Sequence, residues 1–158
     1  MDINISDYLD KDSIIVGIKE KTKKKILSVI LEHLIAKKKI SKSDEKQILK
    51  NLLQREAMGS TAIGGYIALP HARIDSVKSI VVCIAVSKDG IEFDSLDQEP
   101  VNVIALLLSN QNEAGLHLKM LAFLARMLRD KYFVQQLKNV DSSEGVLALI
   151  NKQQQAIR

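Results

Sequence analysis

Three histidines carry most of the chemistry near neutral pH that this sequence offers, and their surroundings differ. His71 stands in Ala68-Leu69-Pro70-His71-Ala72-Arg73, after the hydroxyl- and glycine-bearing run Ser60-Thr61-Ala62-Ile63-Gly64-Gly65. Pro70 fixes its own φ and pushes Leu69 towards extended backbone, so the imidazole of His71 is expected on a stiff strand end, as a nucleophile would be mounted. His117 falls in the first turns of a helical stretch, where the positive helix end disfavours imidazolium and attracts anions. Two neutral imidazoles beside such an end suit phosphate; the pattern leaves open that His117 is simply a hydrogen-bonded core residue. His33, among Glu32 and lysines, has no ligand or base partner at useful spacing. Cys83 is the single cysteine, so neither an internal disulfide nor a thiolate metal cluster can form, and no metal or cofactor is expected.

The elements that must hold these residues follow from periodicity. Ile26, Leu27, Ile30, Leu31 and Leu34 recur at helical spacing within Thr22 to Ile35. A second helix is expected from Ser41 or Ser43, with Asp44 and Glu45 in its first turn, to about Glu56. Ser79 to Ser87 and Val101 to Leu108 are continuous apolar runs suited to strands covered on both faces. Between them Lys88-Asp89-Gly90 predicts a turn and Ile91 to Phe93 a short returning strand. Asn112 to Arg129 gives a long helix whose stripe includes His117, Met120, Leu121, Leu124 and Leu128. A last helix starts at Asp141 or Ser142, with the Gln-rich tail from Gln153 frayed. Helices before, between and after buried strands predict an α/β fold: a three-layer sandwich, its mixed β-sheet flanked by helices on both faces. With 4% aromatic residues the core must be aliphatic.

At 158 residues, 46% hydrophobic and 27% charged, the chain is expected to form a single domain over 1–158, with an ordered core of about 5–152. No apolar run is long enough for a bilayer span and the acidic N-terminus is no signal peptide, which predicts a cytoplasmic protein without direct membrane insertion. The net charge of +4 is unevenly spread: residues 19–50 hold eleven Lys against four acids, and the remainder is balanced or acidic. That stretch contains no Arg and no aromatic residue, so its Lys23–Lys25 and Lys37–Lys39 runs read as solvated helix faces and not as a nucleic-acid surface.

Arg55-Glu56 followed by Ser60-Thr61-Ala62-Ile63-Gly64-Gly65-Tyr66-Ile67-Ala68-Leu69-Pro70-His71-Ala72 resembles the phosphorylation-site signature of the enzyme IIA domains of the fructose and mannitol class (type 2) in the bacterial phosphoenolpyruvate-dependent phosphotransferase system. The resemblance continues through Phe93-Asp94, Pro100-Val101 and His117 to Ala125, and so covers most of the chain. Ala62 stands where that family commonly has a glycine and Tyr66 where it often has a second. Gly65 is expected to supply the backbone freedom one residue early, with Tyr66 either shaping the partner-facing rim or crowding it.

The resemblance implies that His71 is the phosphoacceptor, that His117 orients or stabilises the phosphorylated site, and that Arg55 contacts phosphate oxygens. Ser60 and Thr61 would bind phosphate or support His71; as simple turn hydroxyls they read equally well. Arg73 is assigned to the surface. The implied function is a phosphoryl relay: phosphate taken from an HPr-like phosphocarrier protein, then used to control regulatory target proteins, with the nitrogen-regulatory type favoured. A sugar-specific enzyme IIA donating to a separate IIB protein is the first alternative, and a non-phosphorylated binding module of the same fold the second. Neither a fused IIB domain nor a membrane IIC domain fits this length, which predicts a free-standing module.

Overall fold

In the computed structural model, which describes residues 3–157, five strands form one mixed sheet between two helical layers. In chain order these are β1 (Ile14–Ile15), α1 (Lys23–Ala36), α2 (Glu45–Ala57), β2 (Ile67–Ala68), β3 (His71–Arg73), β4 (Val81–Ile91), β5 (Val101–Ser109), α3 (Ala114–Leu128), α4 (Lys131–Lys138) and α5 (Ser143–Ala156). The sheet order is β1-β4-β5-β2, with β3 also on β5. β4 and β5 are antiparallel, while β1, β2 and β3 run parallel to their neighbours. β2 and β3 keep one register along β5, Ile67 opposite Val103 and His71 opposite Leu107. They form a single edge strand interrupted at Leu69-Pro70, where proline has no N–H to give.

Alternation along the two central strands divides the core. Val82, Ile84, Val86, Val103, Ala105 and Leu107 face α3, α4 and α5; Val81, Cys83, Ala85, Ile104, Leu106 and Leu108 face α1 and α2. Every residue of β5 is buried, which is why both central strands read as unbroken apolar runs. The three-layer α/β sandwich is the architecture that the patterning predicts.

The structure corrects four local expectations. Lys88-Asp89-Gly90 is not a hairpin turn: β4 continues through it to Ile91 as a bulged strand, its register on β5 shifting between Val86 and Ile91. Asn102 Nδ2 donates to the Ser87 carbonyl and Gly90 N–H to Ser87 Oγ, which pairs the bulge internally. Gly90 (φ +91°) lies so close to Pro100 that an added Cβ would stand 2.8 Å from the ring. The helix after Ser41 begins with the 3-10 turn Lys42–Asp44, and Ser41 makes no side-chain cap. α4 is an additional helix, capped by Asp130, whose side chain accepts from the Tyr132 and Phe133 amides. Finally, Gln153 does not begin a frayed tail, because α5 runs to Ala156 and Gln154 is buried with its Oε1 accepting from Ile5 N–H at 2.5 Å.

Candidate functional site

His71 opens β3 immediately after the Leu69-Pro70 interruption and is partly exposed. Its Nδ1 lies 2.8 Å from the Leu69 carbonyl oxygen. A carbonyl can only accept, so Nδ1 carries the proton and Nε2 is left with the lone pair. Leu69 is itself held, its N–H donating to the Thr61 carbonyl. The strand break therefore fixes the tautomer of the ring as well as its position.

His117, in the first turns of α3, is 2% exposed, and its ring centroid lies 5.6 Å from that of His71 in an edge-to-face arrangement. Ser109, the last residue of β5, brings its Oγ to 2.6 Å from His117 Nδ1, leaving Nε2 for the pocket. The His117 pKa is pushed down to about 4, first by burial and then by the electrostatic influence of His71 and the Arg73 guanidinium. It is a neutral imidazole at physiological pH. His117 is a hydrogen-bonded, buried member of the helix stripe, and it also lines the pocket.

A hollow of about 430 Å3 opens beside the two rings. The C-terminal half of α2 contributes Asn51, Gln54 and Arg55, β3 contributes His71 and Arg73, and α3 contributes His117, Leu118 and Leu121. Arg55 lines it while donating from Nη1 to the Gly59 carbonyl at 2.7 Å, a bond that closes the end of α2. Arg73 was assigned to the surface, yet it lines the same hollow. Two residues beyond His71 on one strand, it lies on the same sheet face, and that alternation was the signal that could have found it. Met58 and Leu118 form an apolar lip, 83% and 61% exposed.

Ser60 and Thr61 do not line this hollow. Ser60 Oγ donates to the Phe93 carbonyl and accepts from Ala62 N–H. Thr61 gives both its N–H and its hydroxyl to the buried carboxylate of Glu56. Their hydroxyls tie down the loop, and Thr61 supports His71 through Leu69. Tyr66 does not line the hollow either: its ring packs on the core beneath α3 to α5 and its carbonyl accepts from Asn102 and Val103. It takes the left-handed backbone itself (φ +68°) together with Gly65 (φ +71°), so Gly65 does not spare it that conformation. Ala62 is fully buried and is not among the positive-φ residues. His33 Nε2 lies 2.7 Å from the Asp12 carbonyl, a structural bond remote from the pocket. Burial pushes the Cys83 thiol up to about 12, which makes it inert. Among the described residues no group of three or more His, Cys, Asp or Glu is placed to hold a metal ion, and no helix is long and apolar enough to cross a membrane.

A buried neutral ring, a tautomer-fixed accessible ring and two guanidinium groups around one hollow can receive a phosphoryl group and neutralise its oxygens. Residues 7–153 match the family described as "Phosphoenolpyruvate-dependent sugar phosphotransferase system, EIIA 2". A nitrogen regulatory protein of Bradyrhizobium diazoefficiens is 31% identical over 147 residues, 92% of this chain and 94% of that protein. A fructose-specific EIIABC component of Bacillus subtilis is 30% identical over 95% of this chain, which corresponds to 23% of that longer protein. Among solved structures, nitrogen regulatory protein IIA-Ntr from Neisseria meningitidis superposes with a TM-score of 0.82 at 29% identity, covering 92% of this chain and 98% of that one. Mannitol IIA from Escherichia coli, bound to phosphorylated IIB, shares the fold with a TM-score of 0.73 at 21% identity over 91% of this chain and 97% of that one.

Proposed function

Since the chain belongs to the type 2 enzyme IIA family of the phosphoenolpyruvate-dependent sugar phosphotransferase system, we propose that it is a phosphoryl relay in which His71 is the phosphoacceptor. The observation that carries this reading is the bond from His71 Nδ1 to the Leu69 carbonyl, which places the lone pair of the neutral, accessible ring on Nε2. That lone pair attacks the phosphorus of a phosphohistidine on an HPr-like carrier; the P–Nε2 bond forms as the donor's P–N bond breaks, and the donor imidazole leaves with the electron pair. Charge building on the His71 ring is shared with Nδ1–H, which the Leu69 carbonyl holds. Such a transfer needs positioning and charge neutralisation more than proton movement. Arg55 and Arg73 meet the phosphoryl oxygens, and His117, kept neutral, has an Nε2–H to give them when Ser109 Oγ donates to its Nδ1. The exposed Met58 and Leu118 give the carrier an apolar surface to cover.

The output we favour is regulatory, through protein targets that distinguish phosphorylated from free His71, because the chain spans 94% of a nitrogen regulatory relative. A sugar-specific role, passing phosphate to a separate IIB protein, is supported by the 30% identity to the fructose component. Phosphoenolpyruvate, the two general phosphotransferase proteins and labelled phosphate test the reading. Acid-labile, base-stable label is expected on the wild type and none on His71→Ala. An unlabelled wild type would leave a binding module of the same fold. Transfer of label onwards to a IIB protein would select the sugar-specific output.

A further inference from the structure

The lysine excess of residues 19–50 is not spent at the His71 site. Three of those lysines, Lys38, Lys39 and Lys42, border a hollow of about 510 Å3 at the other end of α2. Ser76 to Ser79, the link between β3 and β4, forms a second wall and adds Lys78. That wall is fixed: Asn110 Nδ2 donates to the carbonyls of Val77 and Lys78 at 3.1 and 3.2 Å. The volume is that of a small-molecule site. Asp44 is the acid in its lining, against four lysines.

Two further features set it apart from an ordinary solvated lysine patch. Lys39 and Lys42 are neutralised by Asp10 and Glu45, at 2.7 and 2.6 Å, but Lys38 and Lys78 have no carboxylate within ion-pair distance among the described residues. Lys38 also occupies a strained position. α1 ends in a Schellman turn, with Lys39 N–H on the Leu34 carbonyl and Lys38 N–H on that of Ile35, and Lys38 has φ +60°, where glycine is the usual residue. Lys38, in this left-handed conformation at the lip of a hollow, places an unpaired ammonium where glycine would place nothing.

We propose that this hollow binds a small anion carrying two or more phosphate or carboxylate groups, held by Lys38 and Lys78 from two separate segments of its lining, with Ser41, Ser76 and Ser79 as hydroxyl donors. Ser41 makes no capping bond to its own helix turn, which leaves its hydroxyl for a ligand. With no aromatic and no Arg in the lining, neither base stacking nor a bidentate fork is available, which favours a compact anion over a nucleic acid.

The test is titration of the isotopically labelled protein with pyrophosphate, with citrate and with a short single-stranded DNA, in about 150 mM salt so that diffuse lysine attraction is screened. Saturable amide shifts at residues 38–42 and 76–79 with pyrophosphate or citrate are expected, and which of the two binds tighter assigns the phosphate or carboxylate source. Lys38→Gly with Lys78→Gln should weaken that binding about tenfold or more, with an unchanged or higher melting temperature because the left-handed strain is relieved. Lys78→Gln alone gives the same reading if the double variant folds poorly, and His71→Ala should bind as the wild type does. Shifts that never saturate, affinity unchanged in the lysine variants, or shifts confined to the His71 hollow would overturn the proposal. So would tighter binding of the oligonucleotide on the same residues.

Discussion

At the scale of single residues, the pocket works through protonation states set by local bonds. His117 is neutral when folded, with its pKa near 4 against 6.5 for a free imidazole. The unfolded chain therefore takes up a proton at this position as pH falls below 6.5 while the folded one does not. Stability from His117 is complete above 6.5, declines through the window between 6.5 and 4, and changes little further below it. The loss is bounded at about 3 kcal/mol, and urea titrations across this window should show a slope that His117→Gln removes. Arg73→Gln should raise the His117 pKa, read by proton-detected titration of its ring, and slow phosphoryl acceptance by His71 about tenfold or more. The placement of His71 at a strand start was legible in the sequence because Pro70 constrains its neighbours locally. Arg73 was marked only by its place two residues beyond His71, an alternation too brief in a three-residue strand to tell which face is covered.

At the scale of elements, the loop bearing the signature is anchored by one ion cluster. Lys23 opens α1, where a cation opposes the helix dipole, and the sequence presents it as part of a solvated lysine run. Its Nζ instead lies 3.2 Å from Glu56 at the end of α2 and 3.2 Å from Asp94, above the Phe93 ring at 5.0 Å. Glu56 is 6% exposed and also takes the N–H and hydroxyl of Thr61. Lys23→Met leaves that buried carboxylate without its cation and should cost about 3 kcal/mol in equilibrium unfolding. Glu56→Gln, which keeps an acceptor for Thr61, should cost about 1 kcal/mol. If the two cost the same, the cluster is not held together by the buried charge. The long helices were readable because one-sided burial imposes their period, and both central strands because two-sided burial makes them unbroken apolar runs. α4 has only eight residues, and its Phe133, Val134 and Leu137 pattern is too short to stand out even with the Asp130 cap that the structure shows. The bulge at Ser87 to Gly90 imitates a hairpin turn because the same residue types supply the left-handed backbone that either geometry needs.

At the scale of the whole molecule, the layer beneath α3 to α5 is closed by the two ends of the described chain. Ile3, Ile5 and Leu9 join the same apolar cluster as Val146 and Ile150 of α5, and Ile157 packs against it. The seam carries a polar contact where the buried Ile5 N–H meets Gln154 Oε1 and Gln154 Nε2 reaches Asn4 Oδ1 at 3.3 Å. A glutamine inside a Gln-rich run gives no hint of this, since its partner lies 149 positions away and the seam exists only after the sandwich has closed. Ending the chain after Lys152 leaves the Ile5 N–H buried without an acceptor and uncovers apolar surface on both segments, so unfolding should become easier by about 3 kcal/mol. Gln154→Leu separates the two contributions. It retains the cover but orphans the amide, for an expected cost of about 2 kcal/mol, and hydrogen exchange at Ile5 should accelerate in both variants. An Ile5 amide as protected in Gln154→Leu as in the wild type would mean that packing alone closes this layer.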